Sequence, residues 1–221
     1  MANGRALICF TRPPVPGETK TRLRPVLSGE ECARLHTAFL QDLSAVYRQV
    51  EADLYVAYAP HPRWEELRPL FPQAAGFFPQ EGADLGERMH RALCRVLALG
   101  YRACLLTGSD LPLLTPGHLE RAFQALEGAD VVLGPTPDGG YYLVGLRRPS
   151  PALFTGQCYG HGTVYENTLS AARAAALRVA AAPVCSDVDT PEDLAALCAR
   201  LAGAQGHTAR LLAGWKERLS P

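Results

Sequence analysis

Three separated stretches of the chain carry residues that could do chemistry together. The first is Ala103-Cys104-Leu105-Leu106-Thr107, which runs into Gly108-Ser109-Asp110-Leu111-Pro112. A continuous apolar run of this length reads as a buried strand, and the glycine and proline end it abruptly. A lone carboxylate at such an end is costly to bury unless it is paired or bound to a metal. Asp110 could instead cap a following helix, but Thr115-Pro116 supplies that cap and a first-turn proline of its own. The second stretch is Arg12-Pro13-Pro14-Val15-Pro16-Gly17-Glu18-Thr19-Lys20-Thr21-Arg22-Leu23-Arg24. Its prolines and glycine predict an irregular loop without helix. Arg12, Lys20, Arg22 and Arg24 beside free backbone N–H groups suit phosphate oxygens, while a solvated, proline-stiffened surface loop is the plain alternative. The third is Ser186-Asp187-Val188-Asp189-Thr190-Pro191-Glu192-Asp193. Thr190, Pro191 and Asp193 make a helix start, which leaves Asp187 and Asp189 unexplained. One of these, set across a crevice from Asp110, would complete an all-oxygen site suited to Mg²⁺ or Mn²⁺.

Lesser signals have two readings each. Asp138, before Gly139 and Gly140, is either turn chemistry or a carboxylate at a pocket rim where the backbone approaches a ligand. Asp84 and Glu87 read as a helix cap pair. His161, in the glycine-rich loop Phe154 to Thr163, is either a base or ligand or an exposed loop side chain.

The elements that must position these groups alternate as strand and helix. Strands are expected at Arg5 to Thr11, Leu54 to Tyr58, Gly76 to Pro79, Ala103 to Thr107, Asp130 to Gly134, Tyr141 to Leu146 and Arg178 to Pro183. A helix capped by Ser28 and Glu31 should run to about Val50, with Leu35, Phe39, Leu43 and Val46 facing the sheet. Further helices are expected from Trp64 to Phe71, from Asp84 to Leu99, from Pro116 to Leu126, from Val164 to Ala176, after Thr190 and from His207 to Leu219. The turn Pro135 to Gly140 breaks the alternation, so one antiparallel strand should enter an otherwise parallel sheet. The pattern predicts one α/β domain over residues 1–221, a three-layer α/β/α sandwich with ligands beyond the carboxyl ends of its strands.

Composition narrows the classes. The chain has 221 residues, 48% of them hydrophobic and 20% charged, and its 22 basic and 22 acidic residues balance. No global field recruits nucleic acid or an anionic membrane. No apolar run reaches the ~20 residues of a membrane span, and the short N-terminal run does not suit a signal peptide, so a cytoplasmic protein is expected. Seven scattered cysteines without a CxxC pair read as reduced thiols.

Taken together, the Pro-Gly-x-x-Lys-Thr-Arg-Leu core of the first loop, Asp84-Leu85-Gly86-Glu87-Arg88-Met89, Gly108-Ser109-Asp110-Leu111-Pro112, Pro137-Asp138-Gly139-Gly140-Tyr141-Tyr142-Leu143 and Asp187-Val188-Asp189-Thr190-Pro191-Glu192-Asp193-Leu194 resemble a bacterial glycosyltransferase family. That family has the GT-A, nucleotide-diphospho-sugar transferase fold, and part of it is linked to arsenosugar biosynthesis. The chain is also similar to phospholactate guanylyltransferases and, more distantly, to molybdenum-cofactor guanylyltransferases and sugar-acid cytidylyltransferases. The resemblance extends to about Leu201. It implies a nucleotide across the first strands, with Thr11, Arg12, Gly17, Lys20, Arg22, Gln80 and Ser109 on its nucleotide and phosphate side. It further implies a Mg²⁺ or Mn²⁺ ion on Asp110 and Asp189, and Gly139, Gly140 and His161 toward the second substrate. Relatives often carry Trp-Ser-Thr in the acceptor loop, where this chain has Tyr159-Gly160-His161-Gly162-Thr163, so the acceptor is not carried over.

The leading expectation is a metal-dependent transfer of a glycosyl group from a nucleotide sugar to a small acceptor, with Asp138 as base for an acceptor hydroxyl. The alternative is nucleotidyl transfer, in which Lys20 and Arg22 neutralise a triphosphate and an acceptor phosphate displaces pyrophosphate. A non-catalytic nucleotide-binding protein is the third reading; it is disfavoured by the retained carboxylates.

Overall fold

In the computed structural model, residues 4–160 and 162–215 are described. Seven strands form one sheet: β1 (Arg5–Thr11), β2 (Asp53–Tyr58), β3 (Gly76–Pro79), β4 (Ala103–Thr107), β5 (Val131–Pro135), β6 (Tyr141–Leu146) and β7 (Val179–Ala181). Their spatial order is β3-β2-β1-β4-β6-β5-β7. Only β6 runs against its neighbours, pairing antiparallel with β4 and β5. Among the described residues six α-helices accompany the sheet: α1 (Gly29–Tyr47), α2 (Leu85–Leu97), α3 (Pro116–Gly128) and α4 (Val164–Ala174) between strands, and α5 (Pro191–Arg200) and α6 (His207–Ala213) after the last strand. The crossover helices cover both faces, as a mostly parallel sheet requires.

One face of the sheet packs Leu7, Leu105 and Val132 against Leu40, Leu43, Phe123 and Leu126 of α1 and α3. The other packs Ile8, Leu106 and Leu133 against Leu93 and Val96 of α2 and Ala172 of α4. Successive strand residues point to opposite faces, so the continuous apolar runs are the signature of burial on both sides. Each fully buried Leu or Phe here is worth roughly 1.5–3 kcal/mol of transfer free energy. A third cluster seats Leu35 and Phe39 of α1 against Val188, Leu194 and Leu197, locking the start of α5 beside α1.

The expected elements are present with ends shifted by a few residues in either direction, and two local differences have physical causes. Prolines do exclude an α-helix from the first loop, but past Pro16 the chain closes a short 3-10 turn at Thr21–Leu23. Residues Trp64–Leu70 also form a 3-10 helix, not an α-helix, with Pro69 inside it; a proline without an N–H cannot serve an α-helical ladder. The long helix ends at Tyr47, whose hydroxyl pairs with Thr107 Oγ1 at 2.7 Å and ties α1 to the carboxyl end of β4. Residues 216–219 of the expected last helix lie outside the described residues. All seven cysteines are free thiols, and burial pushes Cys9 up to about 12. Among the described residues no helix is long and apolar enough to cross a membrane.

Candidate active site at the carboxyl ends of β1 and β4

Strands β1 and β4 are direct parallel neighbours, with Cys9 opposite Thr107. Their outgoing segments, the basic loop and Gly108-Ser109-Asp110, therefore leave the sheet side by side. The Asp187–Asp189 segment is pinned to the second of these by the main chain, because Val188 N–H donates to the Asp110 carbonyl at 3.0 Å. Beyond it, Thr190 caps α5 in a reciprocal capping box with Asp193, whose Oδ2 accepts from the backbone of Asp189 at 3.1 Å and of Thr190 at 2.8 Å. Two carboxylates 79 positions apart in sequence are thus held at one mouth of the sheet by backbone hydrogen bonds.

Lys20 lies between them. Its Nζ is 2.7 Å from Asp110 Oδ1 and 3.4 Å from Asp189 Oδ1, and it also donates to the Val188 carbonyl. The side chain is 3% exposed, whereas those of Asp110 and Asp189 remain 39% and 38% exposed. The ammonium is therefore buried beneath a pair of carboxylates that stay partly exposed. The Lys20 backbone is left-handed, φ 53°, which directs the chain into the following turn; a side chain other than glycine accepts that conformation at a small cost. Arg22, 70% exposed, reaches Asp189 Oδ2 at 3.5 Å from the solvent side.

The sequence reading missed His36. It sits on the buried stripe of α1, where an imidazole among Cys32, Leu35, Phe39 and Leu40 is itself a signal that something polar lies opposite. Its Nε2 is 3.1 Å from the Arg12 carbonyl and 3.4 Å from Thr11 Oγ1. Its Nδ1 is 3.6 Å from Asp110 Oδ1 and buried without a hydrogen-bond partner. One ring thus spans from the root of the basic loop to the carboxylate. Burial works to raise the Asp110 pKa, but the Lys20 ammonium and His36 outweigh it and hold the carboxyl well below the usual range.

Asp187 is in the opposite situation. Burial, followed by the negative charges of Asp189, Asp138 and Asp110, raises it to about 6. Those four carboxylates therefore share one electrostatic neighbourhood, with more negative charge than Lys20 alone offsets.

The remaining expected residues sit as follows. Thr11 is buried, its hydroxyl 3.3 Å from the Arg12 carbonyl, and Ser109 is buried beside Asp110. Gly17 turns the loop at φ 83°, close enough to α1 that a side chain on Gly29 would meet its backbone nitrogen at 2.9 Å. The Arg12 side chain is exposed. Gln80 is buried and donates to the Thr11 carbonyl at 2.9 Å and the Ala57 carbonyl at 3.0 Å, lacing β1 to β2. Asp138 Oδ1 accepts from Gly140 N–H at 3.2 Å and from the Thr136 hydroxyl, the turn chemistry expected of Asp before glycine. Gly139, φ 85°, abuts the Gly162 carbonyl so closely that any side chain would collide with it. His161 lies outside the described residues. Asp84 caps α2 through Glu87 N–H at 2.8 Å.

Whether a divalent ion suits this place is a question of donor chemistry. Among the described residues no group of three or more His, Cys, Asp or Glu is arranged to hold a metal. Asp110 and Asp189 nevertheless offer hard, partly exposed oxygens. Mg²⁺ commonly takes only one or two protein carboxylates and fills its remaining positions with water and phosphate oxygens. The donor set fits that mode of binding.

Comparison with known proteins places the chain among transferases of similar fold. Residues 42–161 match the family described as "Uncharacterized protein conserved in bacteria (DUF2064)". The chain is 32% identical to a "putative nucleotide-diphospho-sugar transferase" from Desulfovibrio desulfuricans G20, with a TM-score of 0.92 over 99% of this chain and 97% of that one. It is 29% identical over 180 residues to the 2-phospho-L-lactate guanylyltransferase of Methanothermobacter thermautotrophicus, covering 79% of this chain and 76% of that protein. A CMP:2-keto-3-deoxy-manno-octonic acid synthetase solved with CTP superposes at a TM-score of 0.55 with 14% identity, over 90% of this chain and 98% of that one. At that identity the likeness is one of fold.

Proposed function

The chain belongs to the DUF2064 family, and we propose that it is a Mg²⁺- or Mn²⁺-dependent nucleotidyltransferase joining a nucleoside monophosphate unit to a small phosphorylated acceptor. The observation that carries this reading is the convergence of Lys20, Arg22, Asp110 and Asp189 at the carboxyl ends of β1 and β4. A nucleoside triphosphate brings a concentrated negative charge that must be met by cations in a fixed frame. The relative named as a guanylyltransferase and the CTP-bound fold neighbour support the same class of donor.

In this reading the phosphates lie over the Arg12–Leu23 loop, where Gly17 and the backbone amides allow close approach and Arg22 supplies a solvent-facing fork. An oxygen of the acceptor phosphate attacks the α-phosphorus and forms a P–O–P bond. The bond from the α-phosphorus to the oxygen bridging the β-phosphorus breaks, and pyrophosphate leaves with the electron pair. No proton need be removed from an ionised phosphate, so Asp138 is free to serve its turn. A divalent ion on Asp110 and Asp189, when bound, would supply charge neutralisation for the phosphates.

Glycosyl transfer from a nucleotide sugar is the second reading, favoured by the name of the Desulfovibrio relative. It asks Asp138 to act as base, and one oxygen of that carboxylate is already engaged by Thr136 and Gly140. The experiment is an assay with Mg²⁺ or Mn²⁺ across nucleoside triphosphates, nucleotide sugars and phosphorylated small acceptors. Pyrophosphate release that requires the acceptor supports nucleotidyl transfer. Release of a nucleoside diphosphate from a nucleotide sugar overturns it in favour of the second reading.

A further inference from the structure

Lysine is rare in this chain: of its 22 basic residues only Lys20 and Lys216 are lysines, the rest being arginine. At position 20 the difference matters. A guanidinium is a broad planar fork, whereas an ammonium is a compact point charge of roughly the size and bonding habit of a small hydrated cation. Lys20 Nζ makes three contacts of the kind a metal ion would make: Asp110 Oδ1, Asp189 Oδ1 and the Val188 carbonyl, all oxygens. Its side chain is 3% exposed, and its ammonium sits over the Phe39 ring, 5.2 Å from Nζ to the centroid. A second observation points into the same place: His36 Nδ1, buried and making no hydrogen bond, faces Asp110 Oδ1 at 3.6 Å.

We propose that Lys20 is an exchangeable counter-ion, holding Asp110 and Asp189 together while the divalent ion is absent and swinging out to the substrate phosphates when that ion takes the carboxylates. The inference rests on the metal-dependent reading above and adds the order in which its parts engage. Two cations cannot both sit against Asp110 Oδ1 without strong mutual repulsion, so occupancy by one disfavours the other. Metal and phosphate binding thereby become linked through a single side chain: the ion frees a positive charge for the phosphates, and phosphates that capture Lys20 clear the carboxylates for the ion. Such linkage is reciprocal by thermodynamic necessity. The long unbranched stem lets the ammonium move while the Asp189 segment stays pinned by Val188 N–H to Asp110.

The test uses nucleotide-free protein. In wild type, modification of Lys20 by an amine-reactive reagent, followed by mass spectrometry, should be slow without metal and rise about tenfold in saturating Mg²⁺, a typical size for coupling between two sites. Electron paramagnetic resonance titration should show Mn²⁺ binding about tenfold tighter in Lys20→Gln, which lacks the competing charge, than in wild type, and no tighter in Lys20→Arg. A Lys20 rate that ignores Mg²⁺, or a Lys20→Gln affinity for Mn²⁺ equal to wild type, overturns the inference. The wild-type labelling experiment decides the matter even where a variant does not fold. Acceptor-dependent pyrophosphate release, measured in parallel, keeps the outcomes separate: Mg²⁺-dependent turnover with an immobile Lys20 leaves the transferase reading standing and removes only the exchange.

Discussion

His36 and Asp187 flank the Asp110 carboxylate from different elements, and both make measurable claims. The imidazole links the Arg12 carbonyl to the Asp110 side. Replacing it by alanine should loosen the loop it anchors, read as faster amide hydrogen exchange between Val15 and Arg24 with the strands unchanged. Equal exchange in His36→Ala and wild type would make the ring a mere filler. Asp187 titrates near 6 in the folded protein, above the ordinary 3.8. A raised carboxyl binds its proton more tightly in the folded state, so its contribution is intact below the unfolded value and is lost as pH rises through about 6. In metal-free protein, Asp187→Asn should match wild type in thermal stability near pH 4 and exceed it at pH 7. A difference that does not change with pH contradicts the assigned environment. Asp110 could be picked out from sequence, and Asp187 and Asp189 as a pair, because they are left over once helix caps are accounted for; the choice of Asp189 came from the family resemblance. The place of Lys20 could not, since a cation in a proline-rich loop reads as solvent-facing until the fold puts two carboxylates beneath it. His36 was hidden for the opposite reason: helical periodicity marks a position as buried but does not say that the thing it is buried against is polar.

At the scale of elements, the start of α5 sets the position of Asp189. The Thr190–Asp193 capping box turns the backbone so that Asp193 Oδ2 receives both the Asp189 and Thr190 amides. Thr190→Ala should cost about 1 kcal/mol of stability in a denaturant titration, and should weaken nucleotide binding as Asp189 loses its fixed direction. A normal affinity alongside the stability loss would detach the cap from the site. Strand and helix positions were legible because buried parallel strands are continuous apolar runs and because Ser28, Asp84, Thr115 and Thr190 announce helix starts. Less legible were the 3-10 segments at Thr21–Leu23 and Trp64–Leu70, which have no hydrophobic period of their own. The reversed strand β6 was readable from the turn at Asp138-Gly139-Gly140. Its close packing was not: Gly145 of β6 lies against Leu105, Val132 and Leu126, where an added side chain would collide.

For the molecule as a whole, balanced charge supplies no global field to recruit a partner, and the chemistry-bearing side chains are gathered where β1 and β4 end. Topology produces that concentration. Sheet order places β1 beside β4, and the segment leaving β7 brings the chain back to the Asp110 loop, so three segments from the beginning, middle and end of the sequence meet at one mouth. Each segment alone is an ordinary loop. The most direct test of the account is isothermal titration of GTP and CTP, with and without Mn²⁺, into wild type and Asp110→Asn. The account predicts that at least one nucleotide binds wild type about tenfold or more tightly with Mn²⁺ than without it, and that Asp110→Asn abolishes the Mn²⁺ dependence while far-UV circular dichroism is unchanged. Nucleotide affinity that is indifferent to both Mn²⁺ and the Asp110→Asn substitution would contradict it.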